Sequence, residues 1–180
     1  MRRYLIALLA ASSLAAPAFA ALKPGAIAPV FTATATLGGH DYPFNLADAL
    51  KHGPVVLYFY PAAFTPGCTV EAHDFAAAMP QFAALHATVI GVSRDGIAIL
   101  KKFSVSDCRS KFPVASDKSG AIAHEYDAVL PADPAYANRI SYVIAPTGQI
   151  IYAYSNLDPA DHVKNTMAAV KAWDAAHPAP

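Results

Sequence analysis

Between Val55 and Leu85 the chain has a strand, a short turn and a helix in immediate succession, and this order limits the possible fold more than any other feature. Residues 55–60 are V-V-L-Y-F-Y, a β-branched and aromatic run that predicts a strand buried on both faces. Residues 69–85 are rich in alanine with apolar residues at helical spacing, which predicts a helix. Cys68 lies where that helix begins, after a turn with two prolines and a glycine. The stretch therefore predicts an α/β domain that places one thiol at the end of a central strand.

The position of Cys68 indicates a reactive thiol. Unpaired N–H groups at a helix N-terminus stabilise a nearby anion, so they favour the thiolate, which is the nucleophilic form of cysteine. Thr65 lies three residues earlier and can direct its hydroxyl at the sulfur, while Pro61 and Pro66 stiffen the turn. The alternative is that Cys68 is a small apolar residue buried at a strand–helix junction, because free cysteines often have that role. Position alone leaves both hypotheses open.

The first 20 residues have the features of a secretory signal peptide. Arg2 and Arg3 precede an apolar segment, residues 4–16, and Ala18-Phe19-Ala20 fits an A-x-A cleavage site. The apolar segment is too short for a membrane span. We therefore expect a signal peptide over residues 1–20, cleavage after Ala20, export to the periplasm, and one domain over residues 21–180.

Charge and cysteine content restrict the partners of the exported chain. Without Arg2 and Arg3 it has slightly more acidic than basic residues and no run of like charges. Neither nucleic acid nor a membrane is therefore an expected partner. Two cysteines, Cys68 and Cys108, would enter an oxidising compartment, where they form either one structural disulfide or a redox pair.

The remaining segments predict a three-layer α/β domain with a central mixed sheet. Residues 31–37 and 41–44 form a predicted hairpin around Gly38-Gly39, and Asn45 is the predicted cap of a short helix that ends at Leu50. Further strands are predicted at 88–93, 112–115, 140–145 and 149–154, the last two as a hairpin, and further helices at 96–103, 119–126 and 158–177. We expect Pro80 to kink or divide its helix, and residues 104–111, which include Cys108, to be irregular. Ligands of such sheets bind beyond the carboxyl ends of the strands, where Cys68 is predicted to lie.

Several motifs resemble those of peroxiredoxins. The pattern P-x-x-x-T-x-x-C from Pro61 to Cys68 resembles the peroxiredoxin signature. The longer string F-T-P-G-C-T-V-E-A-H-D-F, residues 64–75, resembles the branch called bacterioferritin comigratory protein or peroxiredoxin Q. Matching segments are G-x-x-A-P-x-F at 25–31, G-V-S-R-D at 91–95, F-P-V-A-S-D at 112–117 and R-I-S-Y-V-I at 139–144. The resemblance covers nearly all of the expected mature chain and implies a thioredoxin-like fold and a thiol peroxidase for hydrogen peroxide and organic hydroperoxides. No G-x-G-x-x-G motif or P-loop is present, so we expect no cofactor.

The same resemblance assigns roles to five residues. Cys68 is implied to be the peroxidatic nucleophile, which attacks the O–O bond and becomes a sulfenic acid. Thr65 would hydrogen-bond the thiolate and the peroxide, and Pro61 would shield the sulfur from water. Arg139 would stabilise the thiolate and polarise the peroxide with a permanently charged guanidinium, and Glu71 would orient Arg139. The alternative for Arg139 and Glu71 is that they are surface charges, which contribute little.

One position departs from the pattern of the branch. Many members have a second cysteine five residues after the first, where this chain has His73, which we expect to be a surface side chain. Cys108 is then the remaining candidate to resolve the sulfenic acid, and a one-cysteine mechanism is the alternative. The resemblance implies a peroxide substrate and a reductant, either a thioredoxin-like or glutaredoxin-like protein or a small thiol. We expect the enzyme to be a monomer or a weak dimer.

Two other functions are compatible with this fold and compartment. A thioredoxin-like disulfide reductase requires C-x-x-C, whereas residues 68–71 are C-T-V-E. A periplasmic copper-binding or copper-chaperone module would normally have C-x-x-x-C, whereas residue 72 is alanine. Cys68, His73 and another histidine are the candidate ligands for a soft metal in that case. The sequence therefore predicts a thiol peroxidase, with the copper module as the alternative.

Overall fold

One seven-stranded mixed sheet forms the centre of the computed structural model, which describes residues 21–178. The predicted signal peptide, residues 1–20, lies outside the described residues. The strands are β1 (Thr32–Leu37), β2 (His40–Asn45), β3 (Val55–Phe59), β4 (Thr88–Ser93), β5 (Val114–Ser116), β6 (Ile140–Ile144) and β7 (Ile150–Ser155). The helices are α1 (Leu46–Leu50), α2 (Pro66–Ala84), α3 (Ile97–Ser106), α4 (Ala121–Glu125) and α5 (His162–Ala176).

Strand β3 lies near the middle of the sheet, whose order is β2-β1-β5-β4-β3-β6-β7. It is parallel to β4 and antiparallel to β6, and all five of its residues are buried. Alternate side chains of β3 enter two separate core clusters, one with Leu57 and the other with Tyr58. Buried residues of α1 and α4 join the first cluster, and those of α2, α3 and α5 join the second. The predicted three-layer α/β arrangement with a central mixed sheet and an N-terminal hairpin is confirmed.

The capping prediction for α1 is confirmed, and the prediction for Pro80 is wrong in part. Asn45 Oδ1 accepts a hydrogen bond from Asp48 N at 3.0 Å, which satisfies one donor of the first turn of α1. Helix α2 is not divided at Pro80 but continues for 19 residues. Phe75 before this proline and Phe82 after it are both fully buried in the same core cluster, so packing holds the two parts of the helix together.

Helix α3 is longer than predicted and takes in the first part of the segment expected to be irregular. Ser104 Oγ donates to Lys101 O at 2.9 Å, and the Ser106 hydroxyl is shared between Lys102 O at 3.0 Å and Asp107 Oδ2. These serines therefore bond to the preceding turn, as serine can within a helix. Cys108 lies two residues beyond the end of α3.

Helix α5 begins at His162, later than the predicted start at residue 158. The residues just before it form a separate turn, in which Ala160 N donates to Asp158 Oδ1 at 3.0 Å and His162 N donates to Pro159 O at 3.3 Å. The described part of the chain has no helix with the length and apolar character that crossing a membrane requires.

Candidate active site

Cys68 is the third residue of α2, and the local sequence determines where that helix begins. Thr65 is the N-cap in an extended conformation, and Pro66 occupies the first helical position, where its missing N–H costs nothing. The Cys68 side chain is only 2% exposed, and the thiol is free. It lies beyond the carboxyl end of β3, as the sequence predicts. A small reactant would therefore meet a thiol that is almost entirely shielded from solvent.

The loop that leads into α2 is held by Asp95, which follows β4. One oxygen of this carboxylate accepts from Ala63 N and from Ser93 Oγ, both at 2.8 Å. Phe64, in the same loop, has a positive φ of 65° and packs edge-on against Phe103 of α3, with ring centroids 5.3 Å apart. These contacts fix the backbone immediately before the reactive helix. The G-V-S-R-D motif, residues 91–95, supplies Ser93 and Asp95.

Thr65 and Pro61 lie on that loop, and both are partly buried. The Thr65 hydroxyl donates to Ala62 O at 2.9 Å. Within residues 21–178 we find no hydrogen bond between this hydroxyl and Cys68. The Thr65 oxygen keeps lone pairs that can accept a hydrogen bond from a ligand, but donation to a ligand would require release of Ala62 O.

Arg139 contacts the Cys68 sulfur and precedes β6. Its Nη2 lies 3.4 Å from Cys68 Sγ, its Nη1 donates to Glu71 Oε2, and its Nε donates to Leu157 O at 2.8 Å. The side chain is 5% exposed, so the interpretation of Arg139 as a surface charge is wrong. Burial opposes the positive charge, but Glu71 and Cys68 outweigh it and raise the pKa of Arg139. A permanent cation therefore faces the sulfur from a fixed direction.

Glu71 lies one turn after Cys68 on α2, and its side chain is completely buried. Its Oε2 accepts from Arg139, as the sequence analysis expected, so Glu71 too is not a surface charge. Its Oε1 has no hydrogen-bond partner among the described residues. Burial raises the pKa of the Glu71 carboxyl to about 8, although Arg139 opposes that rise.

His162, the first residue of α5, is a site residue that the sequence analysis missed. It is fully buried, and its Nδ1 lies 3.7 Å from Glu71 Oε1. Its Nδ1 also lies 2.8 Å from Ser141 Oγ, and its Nε2 lies 2.8 Å from Asn156 O. Burial lowers the pKa of His162 to about 4. A series of polar contacts thus runs from the Cys68 sulfur through Arg139 and Glu71 to His162 in the interior.

Cys108 lies in the same core cluster as Cys68 and is likewise free and fully buried. Its backbone N–H donates to Phe103 O at 3.0 Å. Burial raises the pKa of this thiol well above its usual range, so Cys108 is a neutral thiol in this conformation. The two cysteines are thus not joined by a structural disulfide here.

Asp107, next to Cys108, connects the end of α3 to α2. Thr69 Oγ1 donates to Asp107 Oδ1 at 2.7 Å, and Asp107 is only 7% exposed. His73 Nε2 lies 4.0 Å from the same carboxylate oxygen, on a side chain that is 39% exposed. Among residues 21–178, no group of three or more His, Cys, Asp or Glu side chains is arranged to hold a metal ion.

Comparisons with known proteins agree on one family. A family model described as the AhpC/TSA family matches residues 24–153. The chain is 33% identical to peroxiredoxin Bcp of Xanthomonas campestris pv. campestris over 124 aligned residues. The alignment covers 66% of this chain and 76% of that protein. It is 32% identical to chloroplastic peroxiredoxin Q of Triticum aestivum over 151 aligned residues, and this alignment covers 83% of this chain and 67% of that protein. The crystal structure of peroxidoxin BcpB from Mycobacterium tuberculosis superposes with a TM-score of 0.76 at 29% identity, covering 84% of this chain and 97% of that one.

Proposed function

Because this chain belongs to the AhpC/TSA family, as a thiol peroxidase with the thioredoxin-like fold of the Bcp and peroxiredoxin Q branch, we propose that Cys68 is the sulfur that attacks the peroxide. The Cys68 thiolate donates an electron pair to one peroxide oxygen, and the O–O bond breaks. The sulfur becomes a sulfenic acid, and the departing oxygen takes up a proton to leave as water or as an alcohol. The observation that supports this role most strongly is the Arg139 guanidinium 3.4 Å from the sulfur. The comparisons give no support to the copper module.

Arg139 has two electrostatic tasks in this proposal. Its Nη2 stabilises the thiolate before attack, and the same fork faces the negative charge that develops on the departing oxygen. Its other donors are held by Glu71 Oε2 and Leu157 O, so the guanidinium does not need to reorient during the reaction. Thr65 accepts a hydrogen bond from the bound peroxide or donates one to it. Pro61 limits the access of water to the sulfur.

Cys108 resolves the sulfenic acid in this proposal. Its thiolate attacks the Cys68 sulfur, an S–S bond forms, and the sulfenic oxygen leaves as hydroxide and becomes water. Since Cys108 is fully buried and neutral in this conformation, the segment after α3 has to open locally before the thiol can ionise and approach. The competing mechanism is a one-cysteine enzyme, in which an outside thiol attacks the sulfenic acid directly.

The substrates and cellular setting belong to the same proposal. Hydrogen peroxide and organic hydroperoxides are the oxidants, and a thioredoxin-like or glutaredoxin-like protein or a small thiol is the reductant. Export to the periplasm is supported by the composition of residues 1–20. We propose a monomer or a weak dimer as the working form.

Non-reducing peptide mass spectrometry of the protein from Ala21 onward, before and after one equivalent of hydrogen peroxide, tests these roles together. The proposal predicts two free thiols before treatment and a Cys68–Cys108 disulfide afterwards. The Cys108→Ser variant should instead stop at a Cys68 sulfenic acid, trapped by a dimedone-type probe, or at an intermolecular disulfide. If treated protein contains no internal disulfide and the variant turns over normally, Cys108 is not the resolving residue. Oxidation at Cys108 with Cys68 still free would contradict the assignment of Cys68.

A further inference from the structure

The polar side chains next to Cys68 and Arg139 include two buried titratable groups, Glu71 and His162, whose protonation states depend on each other. Glu71 Oε1 is buried without a hydrogen-bond partner among the described residues, and His162 Nδ1 faces it at 3.7 Å. If Glu71 were ionised and His162 neutral, that carboxylate oxygen would be buried with no donor, because Nδ1 would carry no hydrogen. A single proton on either group removes this cost.

The surroundings of His162 determine its tautomer. Nε2 lies 2.8 Å from Asn156 O, and because a carbonyl oxygen can only accept, Nε2 carries a hydrogen. Nδ1 is therefore the titrating nitrogen, and Ser141 Oγ and Glu71 Oε1 are the oxygens that face it. Burial, which lowers the pKa of His162 to about 4 and raises that of Glu71 to about 8, favours the state with the proton on Glu71.

Charge balance connects this proton to the reactive sulfur. In a buried site, Arg139 and an ionised Glu71 already neutralise each other, so a Cys68 thiolate would add an unbalanced negative charge. If Glu71 and His162 together hold one proton, the pair is neutral, and the single positive charge of Arg139 faces the single negative charge of the thiolate. The other charged groups that act on the pair are Asp74 of α2 and Asp158 and Asp161 before α5.

We propose that Glu71 holds a buried proton on Oε1, directed at His162 Nδ1, and that this proton leaves the charge of Arg139 to stabilise the Cys68 thiolate. His162 is then a positioning residue that acts on the sulfur through Glu71 and Arg139. The inference rests on the proposed role of Cys68, but the location of the proton is measured without any peroxide.

The sequence makes the measurement simple, because Glu71 and Glu125 are the only glutamates of the chain. Labelling glutamate with carbon-13 at the side-chain carboxyl therefore gives two NMR signals. Glu125 is exposed and serves as an internal reference, and Glu125→Gln assigns the signals. At neutral pH, the proposal predicts the shift of a neutral carboxylic acid for Glu71 and that of a carboxylate for Glu125. A carboxylate shift for Glu71 would overturn the proposal.

Three His162 and Ser141 variants, made in a Cys108→Ser background so that Cys68 is the only thiol, test the connection to the sulfur. His162→Leu removes the acceptor for the Glu71 proton, and a buried donor without an acceptor is costly, so Glu71 should ionise at neutral pH. Less Cys68 should then be thiolate, and its alkylation by iodoacetamide should slow about tenfold. His162→Asn, which can place an amide oxygen where Nδ1 lies, should restore most of the rate.

Ser141→Ala is the matched control, because it removes the other oxygen at Nδ1 and leaves the Glu71–His162 pair intact. Its alkylation rate should stay within about twofold of the parent. An unchanged rate in a folded His162→Leu protein, or an equal loss in His162→Leu and His162→Asn, would contradict the proposal. If the NMR shift and the alkylation rates are as predicted but the wild type does not consume hydrogen peroxide, the assignment of Cys68 as the peroxidatic thiol is contradicted instead.

Discussion

Gly67 leaves the space that the guanidinium of Arg139 occupies beside Cys68. A Cβ atom at residue 67 would lie 3.1 Å from Arg139 Nη2, the nitrogen that contacts the sulfur. Gly67→Ala should therefore displace Arg139 while it improves the helix propensity of α2 by up to about 1 kcal/mol. We expect slower reaction with peroxide and an unchanged or higher melting temperature. A normal rate constant would show that the position of Nη2 does not matter.

Arg139→Lys should preserve the fold and lose most of the rate of the first step. A lysine ammonium cannot contact Cys68, Glu71 and Leu157 O together as the planar guanidinium does. By analogy with removal of one preorganised donor, the loss should be about 3 kcal/mol, or about a hundredfold. Stopped-flow measurement of sulfenic acid formation tests this expectation. Arg94→Lys is the matched control, because Arg94 donates to the backbone oxygens of Pro134 and Ser119, and its rate should not change.

Thr69→Val should accelerate disulfide formation if Cys108 resolves the sulfenic acid. The Thr69 hydroxyl connects α2 to Asp107, the neighbour of Cys108, and hydrogen bonds to charged groups contribute about 1.5 kcal/mol or more. Loss of this connection should make local opening easier and disulfide formation about tenfold faster. Ser106→Ala also removes a hydrogen bond to Asp107, but from within α3, so it should have a smaller effect. A Thr69→Val protein that forms its sulfenic acid normally and its disulfide no faster would refute this gating role.

The stability of the protein should depend on pH through Glu71. Because burial raises its pKa from 4.5 to about 8, the folded state holds a proton that the unfolded state has lost in this range. The stabilisation that this proton gives is fully present below pH 4.5 and is lost as the pH rises to about 8. Over that range the free energy of unfolding falls by up to about 1.4 kcal/mol per pH unit. Urea unfolding should therefore show that the wild type loses stability relative to Glu71→Gln across this range. A relative gain with rising pH would indicate an ionised Glu71.

The elements around the site were predictable from the sequence because their patterns are local. The apolar run of β3, the Pro66 start of α2 and the P-x-x-x-T-x-x-C spacing together place Cys68 at the end of a central strand. Arg139 and Glu71 came from the resemblance, since they are 68 residues apart and no local pattern relates them.

The errors arose where side chains far apart in sequence determine local structure. Helix α2 continues through Pro80 because the core holds both of its parts. His162 gave only a weak signal in the sequence, a histidine next to the apolar face that includes Val163 and Met167. Its role depends on Glu71 and Ser141, which come from other elements.

The central claim is that Cys68 is the thiol that reduces peroxide, and the rate of hydrogen peroxide consumption by Cys68→Ser in the presence of excess dithiothreitol tests it most directly. Serine is close in size to cysteine, so circular dichroism and the melting temperature should show a folded protein. We predict that this variant consumes peroxide no faster than dithiothreitol alone, while the wild type does so at a rate proportional to enzyme concentration. Enzyme-dependent consumption by a folded Cys68→Ser protein would show that the chemistry takes place elsewhere.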